Sequence, residues 1–278
     1  MDAVSEMGIG NKPIDDGNYL FSDEEKEAFV KLEPQSTAYF KRWYGSDEFI
    51  NNKVRWCLWL GDCPPDKLRK MPHSLQRIEN VRTFRQMSKS EGTRKIADTP
   101  TRFHVENMPE SGHYLLVPRV SSERRRYIPI GFLDTFVIAS DSTLIVPNAT
   151  LYEFGVLTSQ MQMAWMRTVC GRLKSDYRYS AQIVYNNFPW PDISEEQKAA
   201  IMQKAQAVLD ARSQFPDSSL ADLYDPNTMP PVLTKAHAAL DSAVDKLYRK
   251  TAFPDDAARV AFLFELYGKK MEGFVFAC

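Results

Sequence analysis

The sequence predicts an α+β protein: a mixed or antiparallel β-sheet domain with packed helices, followed by a small all-helical C-terminal region. Three observations predict it. Short apolar runs separated by turn residues recur between residues 38 and 60 and between 114 and 147, as strands do. Beyond Pro191 the apolar residues instead recur every three or four positions, as along Leu233, Ala236, Leu240, Val244 and Leu247. The 278 residues are 44% hydrophobic, enough for one large core or two smaller ones, and no apolar run approaches the ~20 residues of a membrane span.

Residues 1–34 read as a linker ending in a short helix. The opening lacks the basic and apolar regions of a signal peptide. Ser22 and Glu25 have the spacing of a capping box, which predicts a helix from Asp23 to Leu32, stopped before Pro34. Residues 38–60 predict two strands joined by a tight turn at Asn51-Asn52. The second, Val54 to Leu60, has large residues on both faces and so belongs inside a sheet. Trp43, Trp56 and Trp59 could stack on bases, but so apolar a setting favours core packing.

Residues 64–102 change character. Leu68, Leu75, Ile78, Val81 and Phe84 predict a helix whose polar face carries Arg69, Lys70, Arg77, Arg82, Arg85 and Lys89, followed by a polar loop from Ser88 to Thr101. Further on, Phe132–Ala139 and Ser142–Pro147 predict strands. Thr150–Leu173 predicts one long apolar helix, and Ile183–Phe188 a last strand. Pro191 marks a boundary, giving a sheet domain over 35–191 and a helical domain over 192–278. Ser194 and Gln197 cap a helix to Arg212, Pro216–Pro231 is a linker, and further helices run through Leu233–Leu247 and from Pro254.

Charge is distributed unevenly behind a net value of −1. Residues 1–34 carry 3 basic and 9 acidic side chains, residues 35–190 carry 22 and 14, and residues 191–278 carry 10 and 13. A basic middle between acidic flanks suits a block that faces a polyanion.

Three consecutive cations, Arg124–Arg126, lie in the stretch Tyr114–Gly131, Y-L-L-V-P-R-V-S-S-E-R-R-R-Y-I-P-I-G. Two apolar segments bracket Arg119, Ser121, Ser122, Arg124, Arg125 and Arg126. Guanidinium forks match phosphates or the O6/N7 edge of guanine, and hydroxyls add donors to phosphate oxygens. If the Arg triplet lies on a strand, Arg124 and Arg126 share a face while Arg125 pairs with an acid or covers the sheet with its stem. A second patch follows the long helix, where Lys174, Arg178 and Tyr179 place cations beside π-faces.

Catalytic signals are missing. There is no Asn-Pro-Pro-aromatic tetrapeptide, no strand leading into a Gly-rich cofactor loop, and no acidic pair with a trailing Lys. His73, His104, His113 and His237 are scattered, with His237 read as structural. Cys57, Cys63, Cys170 and Cys278 lack metal-ligand spacing and read as reduced thiols of a cytoplasmic protein. The expectation is a duplex DNA-binding module with no catalytic, cofactor or metal site of its own. The alternative is a protein–protein module whose basic face meets an acidic subunit.

Five ordered blocks carry a resemblance: G-N-K-P-I-D-D-G-N-Y-L at 10–20, Y-G-S-D-E-F-I-N-N-K-V-R-W-C-L-W-L at 44–60, P-R-V-S-S-E-R-R-R-Y-I-P-I-G at 118–131, C-G-R-L-K-S-D-Y-R-Y-S at 170–180 and I-V-Y-N-N-F-P-W-P at 183–191. They resemble the target recognition domain of MmeI-type (type IIL) restriction-modification enzymes, and the helical tail resembles that family's C-terminal piece. The resemblance implies sequence-specific recognition of double-stranded DNA on behalf of an adenine methyltransferase domain upstream in the same polypeptide. It also implies that S-adenosylmethionine binds in that domain, outside these residues. In such a family the base-reading side chains vary between members, and here they could fall within the less recognisable 73–113.

Overall fold

The protein's structure, a computed structural model, describes the backbone of residues 4–275 and the side chains of residues 4–271. In chain order the strands are β1 (Gly8–Ile9), β2 (Leu20–Phe21), β3 (Phe40–Tyr44), β4 (Trp56–Leu58), β5 (His113–Pro118), β6 (Val120–Ser121), β7 (Gly131–Asp134), β8 (Val137–Ala139), β9 (Thr143–Pro147), β10 (Gly171–Leu173) and β11 (Asp176–Arg178). The α-helices are α1 (Asp23–Leu32), α2 (Ser46–Asn51), α3 (Pro65–Leu68), α4 (Pro72–Gln86), α5 (Glu91–Lys95), α6 (Leu151–Leu157), α7 (Gln160–Val169), α8 (Glu195–Ser213), α9 (Leu220–Leu223), α10 (Pro231–Tyr248) and α11 (Asp256–Val275). This is the α+β class that the sequence predicts. Among the described residues no helix is long and apolar enough to cross a membrane.

The chain forms two compact units. Among the described residues, one comprises residues 9–112 and 134–143; the other comprises residues 4–8, 113–133 and 144–275. The chain thus leaves and re-enters each unit at or beside strand ends.

In the 9–112 unit a four-stranded sheet runs β2-β4-β3-β8, with β4 antiparallel to both neighbours and β8 parallel to β3. The capping box of α1 forms as its sequence requires: the Glu25 N–H bonds the Ser22 hydroxyl at 3.2 Å, and the Glu25 carboxylate accepts from the Ser22 N–H at 2.7 Å. Trp43 and Trp59 are buried beside Phe103, and Trp56 is half-buried, so the three tryptophans pack rather than present faces for base stacking. Gly10 permits a close backbone approach, because a Cβ there would lie 2.1 Å from the Ser140 carbonyl oxygen.

Three expectations fail in this unit. Asn51-Asn52 does not form a hairpin turn: Ser46–Asn51 is a helix, Glu48 closing its N-terminus onto the Gly45 N–H at 2.9 Å and Asn52 ending it in the left-handed conformation at φ 53°. The basic face of α4 is also divided. Arg85 is fully buried, and all five of its N–H bonds go to backbone carbonyls: Nε to Ile14 at 2.9 Å, Nη1 to Ile96 and Thr99 at 2.9 and 3.0 Å, and Nη2 to Pro13 and Arg102, both at 2.8 Å. Arg77 donates to the Asn18 carbonyl at 2.7 Å and lies 4.3 Å over the Phe21 ring. These two side chains tie loops to the helix, while Arg69 and Lys70, which precede α4, and Lys89, which follows it, are exposed. The Ser88–Thr101 stretch is not all loop, since α5 interrupts it, capped by Ser90.

In the other unit the strands order β1-β9-β5-β7, and a separate small sheet orders β10-β11-β6. The long apolar helix read from Thr150 to Leu173 is instead two. Thr150 and Glu153 cap α6, and Ser159, held extended at ψ 160°, interrupts the helix and caps α7 through the Gln162 N–H. Gly171–Leu173 leaves the helix altogether and becomes β10. Ile183–Phe188 is not a strand; Ala181–Tyr185 forms a single π-helical turn capped by Ser180. The helices α8, α10 and α11 form where capping and periodicity predict them, with α11 starting two residues past Pro254. Helix α6 approaches α8 closely at Gly155, where a Cβ would lie 2.8 Å from Ile201 Cγ2. Cys57, Cys63 and Cys170 are free thiols, and Cys278 lies outside the described residues.

Arg85 gives a direct test of this architecture. Replacement by Met keeps the bulk but leaves the Pro13, Ile14 and Arg102 carbonyls without that donor and removes one of the donors to those of Ile96 and Thr99. Chemical denaturation of Arg85→Met should show a stability loss of about 3–5 kcal/mol, with Arg85→Lys intermediate because an ammonium offers three donors rather than five. A loss below about 1 kcal/mol for Arg85→Met would contradict the buried network.

Candidate nucleic-acid interface

The two cationic patches read separately in the sequence are brought together by one small sheet. Strand β11 pairs antiparallel with β6 through Tyr177–Ser121 and Arg178–Val120, and the Tyr179 N–H donates to the Arg119 carbonyl at 2.8 Å. Strand β10 completes the sheet by pairing Gly171, Arg172 and Leu173 with Arg178, Tyr177 and Asp176. The hairpin between them turns at Lys174, which sits in the left-handed region at φ 55° and is exposed. A two-stranded ribbon of this kind has the width that a major groove admits.

The Arg triplet does not lie on a strand. Strand β6 ends at Ser121, and Ser122 folds the chain into a turn by accepting the Arg124 N–H on its hydroxyl at 3.3 Å and the Arg125 N–H on its carbonyl at 3.1 Å. The expected division of the triplet nonetheless appears, produced by the turn rather than by strand alternation. Arg124 and Arg126 are exposed. Arg125 is half-buried, its guanidinium pKa lowered by desolvation and opposed by the charges of Asp176 and Asp225.

The remaining sequence-selected residues divide by depth. Lys174 and Arg178 are exposed, and Arg119 and Ser122 are half-buried. Ser121 and Tyr179 are buried: Tyr179 takes a hydrogen bond from Gln162 Nε2 at 2.9 Å on its hydroxyl, and burial pushes its pKa up. In this structure those two side chains lie beneath the cationic face and support it, instead of standing on it. Arg172 joins the face unpredicted. It is exposed, lies 4.1 Å over the Tyr177 ring and reaches Glu123 at 3.7 Å, linking hairpin to turn. Its position beside Lys174 in the C-G-R-L-K-S block was the available signal.

Behind the turn lies a buried polar group of which the sequence singles out only His237, as structural. Tyr127 stacks on His237 at 4.1 Å between ring centroids and donates its hydroxyl to Asp241 Oδ2 at 2.6 Å. Asp241 Oδ1 accepts the Gln160 N–H at 2.7 Å. His237 Nε2 lies 2.8 Å from the Tyr224 hydroxyl, which also accepts from Arg212 Nε at 2.7 Å. Burial, with Arg212 and Arg126 nearby, holds the His237 pKa well below its usual value; burial raises those of Asp241 and Tyr127. Among the described residues no cluster of His, Cys, Asp and Glu is arranged to hold a metal ion.

Comparison with known proteins fits this geometry. A family profile described as "MmeI, target recognition domain" matches residues 1–192, and one described as "MmeI, C-terminal domain" matches residues 193–275. The chain belongs to the MmeI family. A similar solved structure is that of the type IIL restriction-modification enzyme MmeI in complex with DNA. It is 50% identical with a TM-score of 0.95, over 98% of this chain and 36% of that one. A curated relative, DNA methyltransferase A of Bacillus subtilis (strain 168), is 38% identical over 269 residues, which is 97% of this chain and 30% of the relative. The chain thus spans about a third of the length of these MmeI-family relatives.

The neutral, buried state of His237 sets a pH dependence. The unfolded chain takes up a proton at an ordinary histidine pKa near 6.5, whereas the folded chain resists it, so stability is lost as the pH falls below about 6.5. Asp241 works in the opposite direction at lower pH, since its raised pKa lets the folded state bind a proton first. Between pH 6.5 and 5 wild-type stability should fall by up to about 1.4 kcal/mol per pH unit more than that of His237→Gln. Denaturation curves across this range that stay parallel for the two proteins would contradict a neutral His237.

Proposed function

We propose that this chain reads a specific sequence of duplex DNA and thereby positions a DNA methyltransferase domain of the same polypeptide on its target. The observation that carries the reading is the β10-β11-β6 sheet. It places Lys174 and Arg178 beside the turn bearing Arg124 and Arg126, in a chain half-identical to an enzyme solved on DNA. Phosphate contacts from such exposed cations supply sequence-independent affinity and register. Base-edge contacts from guanidinium forks supply discrimination, about 1–3 kcal/mol for each bidentate pair with guanine.

The same reading gives the chain no chemistry of its own. Methyl transfer to the exocyclic amine of adenine, with S-adenosylmethionine as donor, is proposed for the methyltransferase domain, and the cofactor is proposed to bind there. Labelled methyl groups should not appear on DNA incubated with S-adenosylmethionine and the purified 278-residue chain alone. Methyl incorporation above a no-protein control would overturn this division of labour.

Selection of bound duplexes from a random pool, with the upstream domain restored, should return one short motif. Against that motif, Arg124→Ala should weaken binding, and its effect should be sorted by salt. A lost phosphate contact lowers affinity for all duplexes alike and reduces the salt slope by about one unit, whereas a lost base contact lowers affinity for the selected motif only. Arg125→Ala should act mainly on the melting temperature. Failure to enrich any duplex, together with capture of a protein partner by the same face, would replace DNA by an acidic protein surface.

A further inference from the structure

The turn carrying the exposed arginines is not self-supporting. The described chain has no strand between Ser121 and Gly131, and the bonds within the turn come from Ser122. What fixes the segment comes from helices. Arg167 of α7 donates to the Arg126 carbonyl at 2.7 Å, and Arg212 of α8 donates to the Ile130 carbonyl at 2.7 Å. Between those two points, α10 takes Tyr127 by both ends: His237 stacks on the ring, and Asp241 accepts the hydroxyl. His237 and Asp241 are one helical turn apart among the buried residues of α10, which also include Leu233, Leu240, Val244 and Asp245.

An apolar contact would have filled this space at lower cost. Burying a carboxylate whose charged form is disfavoured, beneath a neutral imidazole, adds little stability, and such groups are best accounted for by the register that they impose. The hydrogen bond from Tyr127 requires one rotation and one depth of the ring. Because Arg126 is the next residue back along the chain, the ring's position sets where Arg124–Arg126 project. Arg126 itself reaches back to Asp241 at 3.9 Å.

We propose that Tyr127, His237 and Asp241 are positioning residues for DNA reading, through which the C-terminal domain presets the arginine-bearing turn. This rests on the duplex-reading function proposed above. It assigns the helical domain a part in specificity without requiring it to touch a base.

The test compares full-length chains: wild type, Tyr127→Phe, and the pair Tyr127→Phe/Asp241→Asn, whose side-chain oxygen can still accept from the Gln160 N–H while the buried carboxylate is removed. Each is titrated with the selected duplex and a scrambled duplex at two salt concentrations, with a melting curve alongside. Tyr127→Phe should lose about tenfold in the ratio of selected to scrambled affinity, toward the lower end of what one base-edge pair is worth. Its scrambled-duplex affinity and salt slope should not change. The pair, freed of a buried carboxylate and keeping the Gln160 bond, should melt at or above the Tyr127→Phe temperature and still discriminate poorly, which a merely structural role would not produce. Undiminished discrimination in Tyr127→Phe overturns the proposal, as does recovery of discrimination along with melting temperature in the pair. If the pair does not fold, the single variant decides. Wild type that binds both duplexes equally would refute the function itself, a separate outcome from failure of the positioning role.

Discussion

The hydrogen bond from Tyr127 to Asp241, 2.6 Å long and buried under the stacked His237 ring, is the constraint on which the cationic face depends. A run of charged residues gains little by folding onto itself. Arg124 to Arg126 repel one another, and long side chains lose rotamer freedom when they are ordered. The turn is defined because its exit is tied to three helices, each by a polar group that leaves few alternatives. The face is therefore a product of tertiary packing. It is carried on a short sheet, β10-β11-β6, whose strands are two or three residues long and which would be marginal alone.

A similar device operates in the 9–112 unit, where Arg85 uses every donor on five loop carbonyls. In both units a long polar side chain gathers irregular backbone around a regular element. Loops that carry function need this support, since their buried carbonyls have no ladder partners.

Much of this was legible in the sequence where a local rule decides the outcome. Ser22–Glu25 and Ser194–Gln197 cap helices as their spacing demands, and the stripe from Leu233 to Leu247 is buried as a helix face. The exposure of Arg124 and Arg126 and the withdrawal of Arg125 were anticipated, though for a strand that is actually a turn. What was not legible depended on distant partners. Arg85 looks like any solvated helix arginine until Ile14, Ile96 and Arg102 surround it. Ile183 to Phe188 has strand composition, but Ser180 caps a π-turn there. Thr158-Ser159 sits in so apolar a run that the helix break at Ser159 is masked. Tyr127 and Asp241 are 114 positions apart, beyond any periodicity.

Amide hydrogen exchange of the full chain, with and without the selected duplex, tests most directly whether the assembled face is the surface that meets DNA. Duplex binding should protect residues 119–126 and 171–178 together, because one sheet carries both, and should leave α9 and the residues beside it unchanged. Binding that protects other segments while these two exchange as in the free protein would place the DNA elsewhere and contradict the assignment of this face.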